Sequence, residues 1–215
     1  MSDKYPDFET LSQHEISGVD YRILVRRATT GFSIVAIHGG GIEPGTSELA
    51  DAVAGSEFSF YAFEGLKRSG NADLHITSTR MDEPMCLGLL GVTGTVVTIH
   101  GESTDVDGEG IFLGGLDDET GGRFREALEA NGFCVRRHPD PELQGREPTN
   151  VCNRGTSGKG VQLELSRAVR KEMFASLSRD GRTHPTPGFY SFVDALRNVL
   201  EAPLSEAIAG SGACG

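Results

Sequence analysis

The 215-residue sequence has no tryptophan and no apolar run close to the roughly 20 residues of a membrane-spanning helix. Its first residues, MSDKYPDFETLSQHE, lack the basic and apolar regions of a secretory signal peptide. We therefore expect a cytoplasmic protein with no membrane partner, and release by lysis is compatible with this expectation.

Cysteine is scarce and scattered. Cys86, Cys134, Cys152 and Cys214 form no CxxC pair. This spacing argues against a disulfide framework and against a zinc site built from thiolates. Any metal site would have to use histidine and carboxylate ligands.

Basic residues are outnumbered by acidic ones, 20 against 31, and the formal net charge is −11. Such a charge repels nucleic acid phosphates, so we expect no nucleic acid partner. Arginines are nevertheless concentrated between residues 134 and 171, in CVRRHPD, GREPTNVCNRG and SRAVRK. A local positive groove on an acidic body remains compatible with this pattern.

Length and composition predict one globular domain over residues 1–215, with a frayed tail from about residue 203. Short apolar segments rich in β-branched or aromatic residues predict six strands: YRILVRRA, FSIVAIH, EFSFYAF, LHITST, TVVTIH and GVQLELS. Nearly continuous apolar strands require a sheet covered on both faces. The fold class is therefore α/β, a three-layer α/β/α sandwich with a mostly parallel or mixed sheet.

Helices are predicted between these strands from capping residues and helical spacing. The four predicted ranges are Thr46 to Ala54, Asp117 to Asn131, Ser166 to Ser176, and roughly Gly188 to Leu200.

Two predicted strands end in the same way. SIVAIH ends at His38, TVVTIH ends at His100, and a glycine follows each histidine. If these strands are parallel neighbours, both imidazoles lie at one edge of the sheet, where α/β folds bind ligands. This placement suits a shared metal ion.

Two glutamates complete the candidate site. Glu43 follows His38 across GGGIE, where the glycines allow the carboxylate to turn back, and two histidines with one glutamate form a catalytic zinc set. Glu164 interrupts the apolar strand GVQLELS and is the candidate general base that takes a proton from zinc-activated water. Arg154 or Arg80 are candidates to hold an oxyanion or a substrate carboxylate.

Each of these residues also has a structural interpretation. A histidine at a strand end is often only hydrogen-bonded, Glu43 could favour the next helix N-terminus, and Glu164 could pair with an arginine. His75 is expected to be a core histidine, and His138 to be exposed. The HGGG run also occurs in α/β-hydrolases, but the GxSxG nucleophile motif of those enzymes is absent.

The motifs IHGGGIEPGTSELA, VVTIHG, NRG and GVQLELSRAVR, in this order, resemble those of the poly-γ-glutamate hydrolases of bacilli and their phages. The resemblance covers most of the chain. It implies a zinc-dependent hydrolase with a zinc-carboxypeptidase-like fold, with His38, Glu43 and His100 as Zn²⁺ ligands and Glu164 as general base. The implied substrate is a γ-glutamyl polymer.

Two alternatives stay open at this stage. The enzyme could act on a small carboxylate-bearing amide, as a zinc carboxypeptidase or an acyl-amino-acid amidohydrolase does. The chain could also be a non-catalytic, phage-related binding protein. The sequence does not indicate the oligomeric state.

Overall fold

The computed structural model describes residues 3–102 and 110–202, so the predicted frayed tail lies outside the described residues. In this part of the chain a mixed seven-stranded sheet forms the centre, in the order β1-β3-β2-β4-β7-β5-β6. The strands are β1 (Tyr21–Arg26), β2 (Phe32–Gly40), β3 (Ser59–Gly65), β4 (Thr95–Gly101), β5 (Ile111–Gly115), β6 (Val135–Arg136) and β7 (Val161–Leu165). The four central strands β3, β2, β4 and β7 are parallel, whereas β1 and β5 run antiparallel to their inner neighbours.

Helices cover both faces of the sheet. They are α1 (Phe8–His14), α2 (Thr46–Ala54), α3 (Pro84–Leu90), α4 (Asp118–Ala130), α5 (Arg167–Glu172) and α6 (Pro187–Glu201). Apolar residues of α2, α4 and α6 share one hydrophobic core, and those of α1 and α3 share another. The predicted three-layer α/β/α architecture is confirmed.

Successive side chains of the central strands point alternately into the two hydrophobic cores. In β2, Ile34 and Ala36 pack with α2, α4 and α6, whereas Val35 and Ile37 pack with α1 and α3. Both faces of the strand are therefore apolar, which explains its uninterrupted hydrophobic sequence.

Several local predictions need correction. LHITST is not a strand, because 3₁₀ turns occupy Asn71–Leu74 and Ser78–Arg80. The helix predicted from Ser166 to Ser176 is shorter in the structure. Helix α5 spans only Arg167–Glu172, and Met173 caps its end. Helices α1 and α3 and strands β5 and β6 were not predicted.

No helix in the described ranges is long and apolar enough to cross a membrane.

Candidate active site

The candidate site lies at the edge of the sheet where β2, β4 and β7 end. His38, His100 and Glu164 occupy the last three residues of these strands. The parallel pairing of β2 with β4, and of β4 with β7, brings the three strand ends side by side. His100 and Glu164 are directly paired across β4 and β7, so their side chains leave the same face of the sheet.

A β-bulge turns His38 toward that face. The pairing of β2 with β3 shifts between Ala36 and Gly39, where three steps along β2 match two along β3. Strict alternation would point His38 to the side of Ala36, into the core below α2. With the extra residue it lies against His100 instead, and the two ring centroids are 5.1 Å apart.

Glu43 reaches the histidines from the loop between β2 and α2. Its backbone N–H donates to the His38 carbonyl at 2.8 Å, and its Oε2 accepts from the Gly101 N–H at 2.8 Å. Gly40 has a φ of 65°, and a Cβ there would stand 2.5 Å from the Gly65 carbonyl oxygen. Only glycine fits this turn, which folds the carboxylate back toward the strand ends.

Donor atoms of three side chains converge in this arrangement, in which Glu43 faces His38 with Oε1 and His100 with Oε2. His38 Nδ1 lies 2.9 Å from Glu43 Oε1 and 3.2 Å from His100 Nδ1. His100 Nδ1 lies 3.7 Å from Glu43 Oε2. Atoms bound at 2.0–2.1 Å to a tetrahedral zinc ion stand roughly 3.3 Å from one another. The observed separations bracket that value, so the spacing of the three side chains fits zinc.

The hydrogen bonding of His38 also requires a positive charge at this point. His38 Nε2 lies 2.8 Å from the Ile76 carbonyl oxygen, which can only accept, so Nε2 carries the hydrogen. In neutral His38 the Nδ1 lone pair then faces Glu43 Oε1. Two acceptors in a buried contact repel each other unless a proton or a metal ion lies between them.

The pKa of Glu43 is set by burial on one side and by the two neighbouring histidines on the other. Burial alone would raise it, but the positive charge of His38 and hydrogen bonds from His100 and His38 outweigh burial. They hold the pKa of Glu43 well below its usual range. The carboxylate is therefore charged and available as a ligand.

His75 forms a second triad with His38 and Glu43, in which each residue offers a ligand atom within 4.8 Å of the others. Its ring stacks on His38 with centroids 4.0 Å apart, and its Nδ1 lies 2.7 Å from Asp3 Oδ1. The side chain of His75 is 37% exposed, so the expectation of a core histidine is wrong. His100 is buried, and its Nδ1 lies 3.2 Å from His38 Nδ1 and 3.7 Å from Glu43 Oε2, so it also meets this limit.

Glu164 is buried beside this triad. Its Oε1 accepts a hydrogen bond from Gln162 Nε2 at 3.0 Å. Burial raises its pKa well above the ordinary value, and the negative charges of Glu43 and Glu102 raise it further. Among the described residues no ion pair neutralises this carboxylate, and the Gln162 amide is its hydrogen-bond donor.

Arg170, which was not singled out from the sequence, lies buried behind the site. Its guanidinium donates to three carbonyl oxygens: Leu165 at 3.2 Å, Pro44 at 2.9 Å and Glu102 at 2.8 Å. These carbonyls belong to the end of β7, the Glu43 loop and the residue after β4. Arg170 thus ties together the three segments that carry the candidate site.

The two arginines proposed for substrate binding, Arg80 and Arg154, both lie near the segment that follows His75. Arg80 is exposed at the end of the 3₁₀ turn that follows Ile76. Arg154 is partly buried, and its Nη1 donates to the Met81 carbonyl at 2.6 Å. The bond to Met81 therefore joins Arg154 to the segment that follows His75, beside the turn that carries Arg80.

His138 is buried, so its expected exposure is wrong. Its ring packs on Phe112, and its Nε2 lies 3.6 Å from Glu102 Oε2. The polar sequence RRHPD gave no indication of this contact.

A family model described as poly-gamma-glutamate hydrolase matches residues 5–195, a range that includes His38, Glu43, His100 and Glu164. Among solved structures, a bacteriophage poly-gamma-glutamate hydrolase is 36% identical with a TM-score of 0.88, and the match covers 92% of this chain and 96% of that one.

Two Bacillus subtilis (strain 168) proteins are also similar. A zinc-free apo structure of YndL is 35% identical with a TM-score of 0.86, covering 93% of this chain and 98% of that one. The SPbeta prophage-derived UPF0714 protein YoqZ is 38% identical over 201 residues, which is 93% of this chain and 72% of YoqZ.

Proposed function

The chain belongs to the poly-γ-glutamate hydrolase family, and from that premise we propose that it is a zinc-dependent enzyme that cleaves γ-glutamyl amide bonds of poly-γ-glutamate. Membership of this family makes the chain a hydrolase of amide bonds. The single observation that supports zinc is the convergence of His38 Nδ1, His100 Nδ1 and the Glu43 carboxylate.

We assign His38, Glu43 and His100 as the residues that would hold zinc, because their spacing and their acceptor-to-acceptor contact both fit a cation. When bound in such a set, zinc supplies Lewis-acid polarisation of the scissile carbonyl and activation of a water molecule. The backbone bonds from Glu43 to His38 and from Gly101 to Glu43 hold the ligands in position.

Glu164 is proposed as the general base. Because its Oε1 accepts from Gln162, its Oε2 is the oxygen left to take a proton from the attacking water. The raised pKa of Glu164 favours this role, since a base must also return the proton. The acceptor of that proton would be the α-amino group that leaves from the next glutamate unit.

Arg80 and Arg154 remain proposed substrate-binding residues. The Nη1 bond to Met81 fixes the Arg154 guanidinium while its other N–H groups stay available to a carboxylate. Arg80 is exposed on the adjoining turn and could contact a more distant part of a long substrate.

The test compares Glu164→Gln with Glu126→Gln, which makes the same change at an exposed position of α4. Chain length of poly-γ-glutamate is followed by size-exclusion chromatography, and new amino groups by a fluorescent amine reagent. We expect Glu164→Gln to lower turnover by roughly 10²–10⁴ while the zinc content of the protein stays unchanged. Glu126→Gln should behave as the wild type.

The substrate is tested with α-linked polyglutamate of matched length and with short acyl-amino acids. Preference for either over the γ-linked polymer would replace the proposed substrate. Full turnover by Glu164→Gln would show that Glu164 is not the general base. Full turnover by metal-free protein would show that the reaction does not depend on zinc.

A further inference from the structure

A cavity of about 510 Å³ lies next to the candidate site. Its walls are the Glu43 loop at Pro44, helix α5 at Arg167 and Lys171, and the segment from Ala175 to Ser178.

The wall of this cavity is continuous with the site. Pro44 directly follows the candidate ligand Glu43, and α5 begins just after the end of β7, which carries Glu164. The bond from Arg170 Nη1 to the Pro44 carbonyl, at 2.9 Å, holds α5 against the loop. The cavity therefore lies at the same edge of the sheet as the candidate catalytic residues.

The cavity carries two positive charges that no carboxylate within the described part of the chain neutralises. Arg167 and Lys171 are exposed and four residues apart on α5, so they share one side of the helix with Cβ atoms roughly 6 Å apart. Neither forms an ion pair with a carboxylate of residues 3–102 or 110–202, whereas Arg182 and Arg197 both do.

The proposed substrate supplies the complementary charge. In a γ-linked chain every unit keeps a free α-carboxylate, and an enzyme of net charge −11 repels such a polyanion except where cations are locally exposed. We propose that Arg167 and Lys171 form a subsite for one α-carboxylate of the polymer, next to the bond that is cleaved. This inference rests on the proposed function, because it specifies how the same substrate is held.

A second arginine-lined cavity supplies a control. It has a volume of about 310 Å³ and is lined by Arg125, Arg137 and Arg146. It also includes Gly115, which pairs with Val161 at the start of β7, so it lies at the opposite edge of the sheet from Glu164. Neutralising the exposed Arg137 together with the exposed Lys159, which lies two residues before β7, removes the same number of positive charges as the double variant, away from the proposed subsite.

The experiment uses the zinc-containing full chain with four variants: Arg167→Gln, Lys171→Gln, the double variant, and the control Arg137→Gln/Lys159→Gln. KM and kcat are measured on poly-γ-glutamate and on the same polymer with its α-carboxylates methylated. Binding of fluorescently labelled polymer is measured separately by anisotropy. Melting temperatures should not change, because all four side chains are exposed.

We expect the double variant to raise KM and weaken polymer binding by roughly tenfold, with kcat within about twofold. The single variants should fall between it and the wild type, and the control should match the wild type. On methylated polymer the wild type and the double variant should have equal KM.

Two different results would contradict the proposed subsite, and they can be told apart. If the wild type cleaves poly-γ-glutamate but the double variant keeps the KM of the control, the subsite is wrong and the proposed function stands. If the wild type neither binds nor cleaves the polymer, the proposed function fails and the subsite fails with it.

Discussion

Replacement of Arg170 by methionine should destabilise the protein far more than replacement of Arg167, three residues away on the same helix. Arg170 is 2% exposed and donates to three backbone carbonyls, those of Leu165, Pro44 and Glu102. Its guanidinium also fills the space beside Gly101, where a Cβ would stand 2.6 Å from Cζ. Methionine fills part of this volume but donates no hydrogen bond.

The magnitude follows from those three bonds. A hydrogen bond from a charged group contributes about 1.5–3 kcal/mol, and a buried carbonyl that loses its donor bears a desolvation cost. Part of the loss is returned because the guanidinium no longer has to be buried. We expect Arg170→Met to lower the free energy of unfolding by about 3–4 kcal/mol, a large share of the 5–15 kcal/mol typical of domains.

The assay is urea unfolding followed by circular dichroism, with a chelator present so that metal binding does not contribute. Arg167→Met is the control, and its exposed position predicts a change within about 0.5 kcal/mol. Turnover of Arg170→Met should also fall while the protein is still folded, because the Glu43 loop loses an anchor. If both variants unfold at the same urea concentration, the structural role given to Arg170 is wrong.

Three further predictions concern the histidines and cysteines. His100→Asn should weaken zinc binding by more than about a hundredfold and His75→Asn by about tenfold or less, as measured by competition with a chromophoric chelator; equal losses would make His75 a ligand. In the metal-free protein the positive charge of His38, and then burial, lower the pKa of His75 from 6.5 to about 4. The unfolded state then binds more protons between these values, so the free energy of unfolding should rise from about pH 4 to 6.5, and His75→Asn should flatten this rise. Burial raises the pKa of Cys152 to about 12, so alkylation at pH 8 should modify the exposed Cys134 and spare Cys152 in the folded protein; mass spectrometry of peptides that shows equal modification would contradict the buried position.

The sequence was sufficient to predict the central sheet and the meeting of His38 with His100. Both depend on strong local patterns: uninterrupted apolar strands, and a histidine followed by glycine at the end of each. Parallel neighbours place their carboxyl ends together, so two similar strand ends become one site. The approach of Glu43 to the two histidines could also be predicted, because a run of glycines allows the chain to turn back tightly.

Other features depend on tertiary contacts that a local pattern does not contain. LHITST alternates as a strand does, yet Leu74 reaches the core from the end of one 3₁₀ turn and Ile76 from the loop that leads to the next. In SRAVRKE the two arginines read alike, and only the packing of α5 against the Glu43 loop decides that Arg170 is buried and Arg167 exposed. One signal was overlooked: Pro84 after the capping residue Glu83 is a typical start of a helix.

The candidate site is built mainly by backbone groups, and this has a consequence for metal binding. The Ile76 carbonyl orients His38, the Gly101 N–H holds the carboxylate of Glu43, and the paired strands position His100 beside Glu164. None of these interactions requires a metal ion. The three proposed ligands are therefore held in place by the chain itself, so little of the free energy of zinc binding would be spent on ordering the loop. A bound zinc ion would relieve the contact between the His38 lone pair and the Glu43 carboxylate. In the proposed site a zinc ion would occupy the position between His38 Nδ1 and Glu43 Oε1, where it satisfies both acceptors at once.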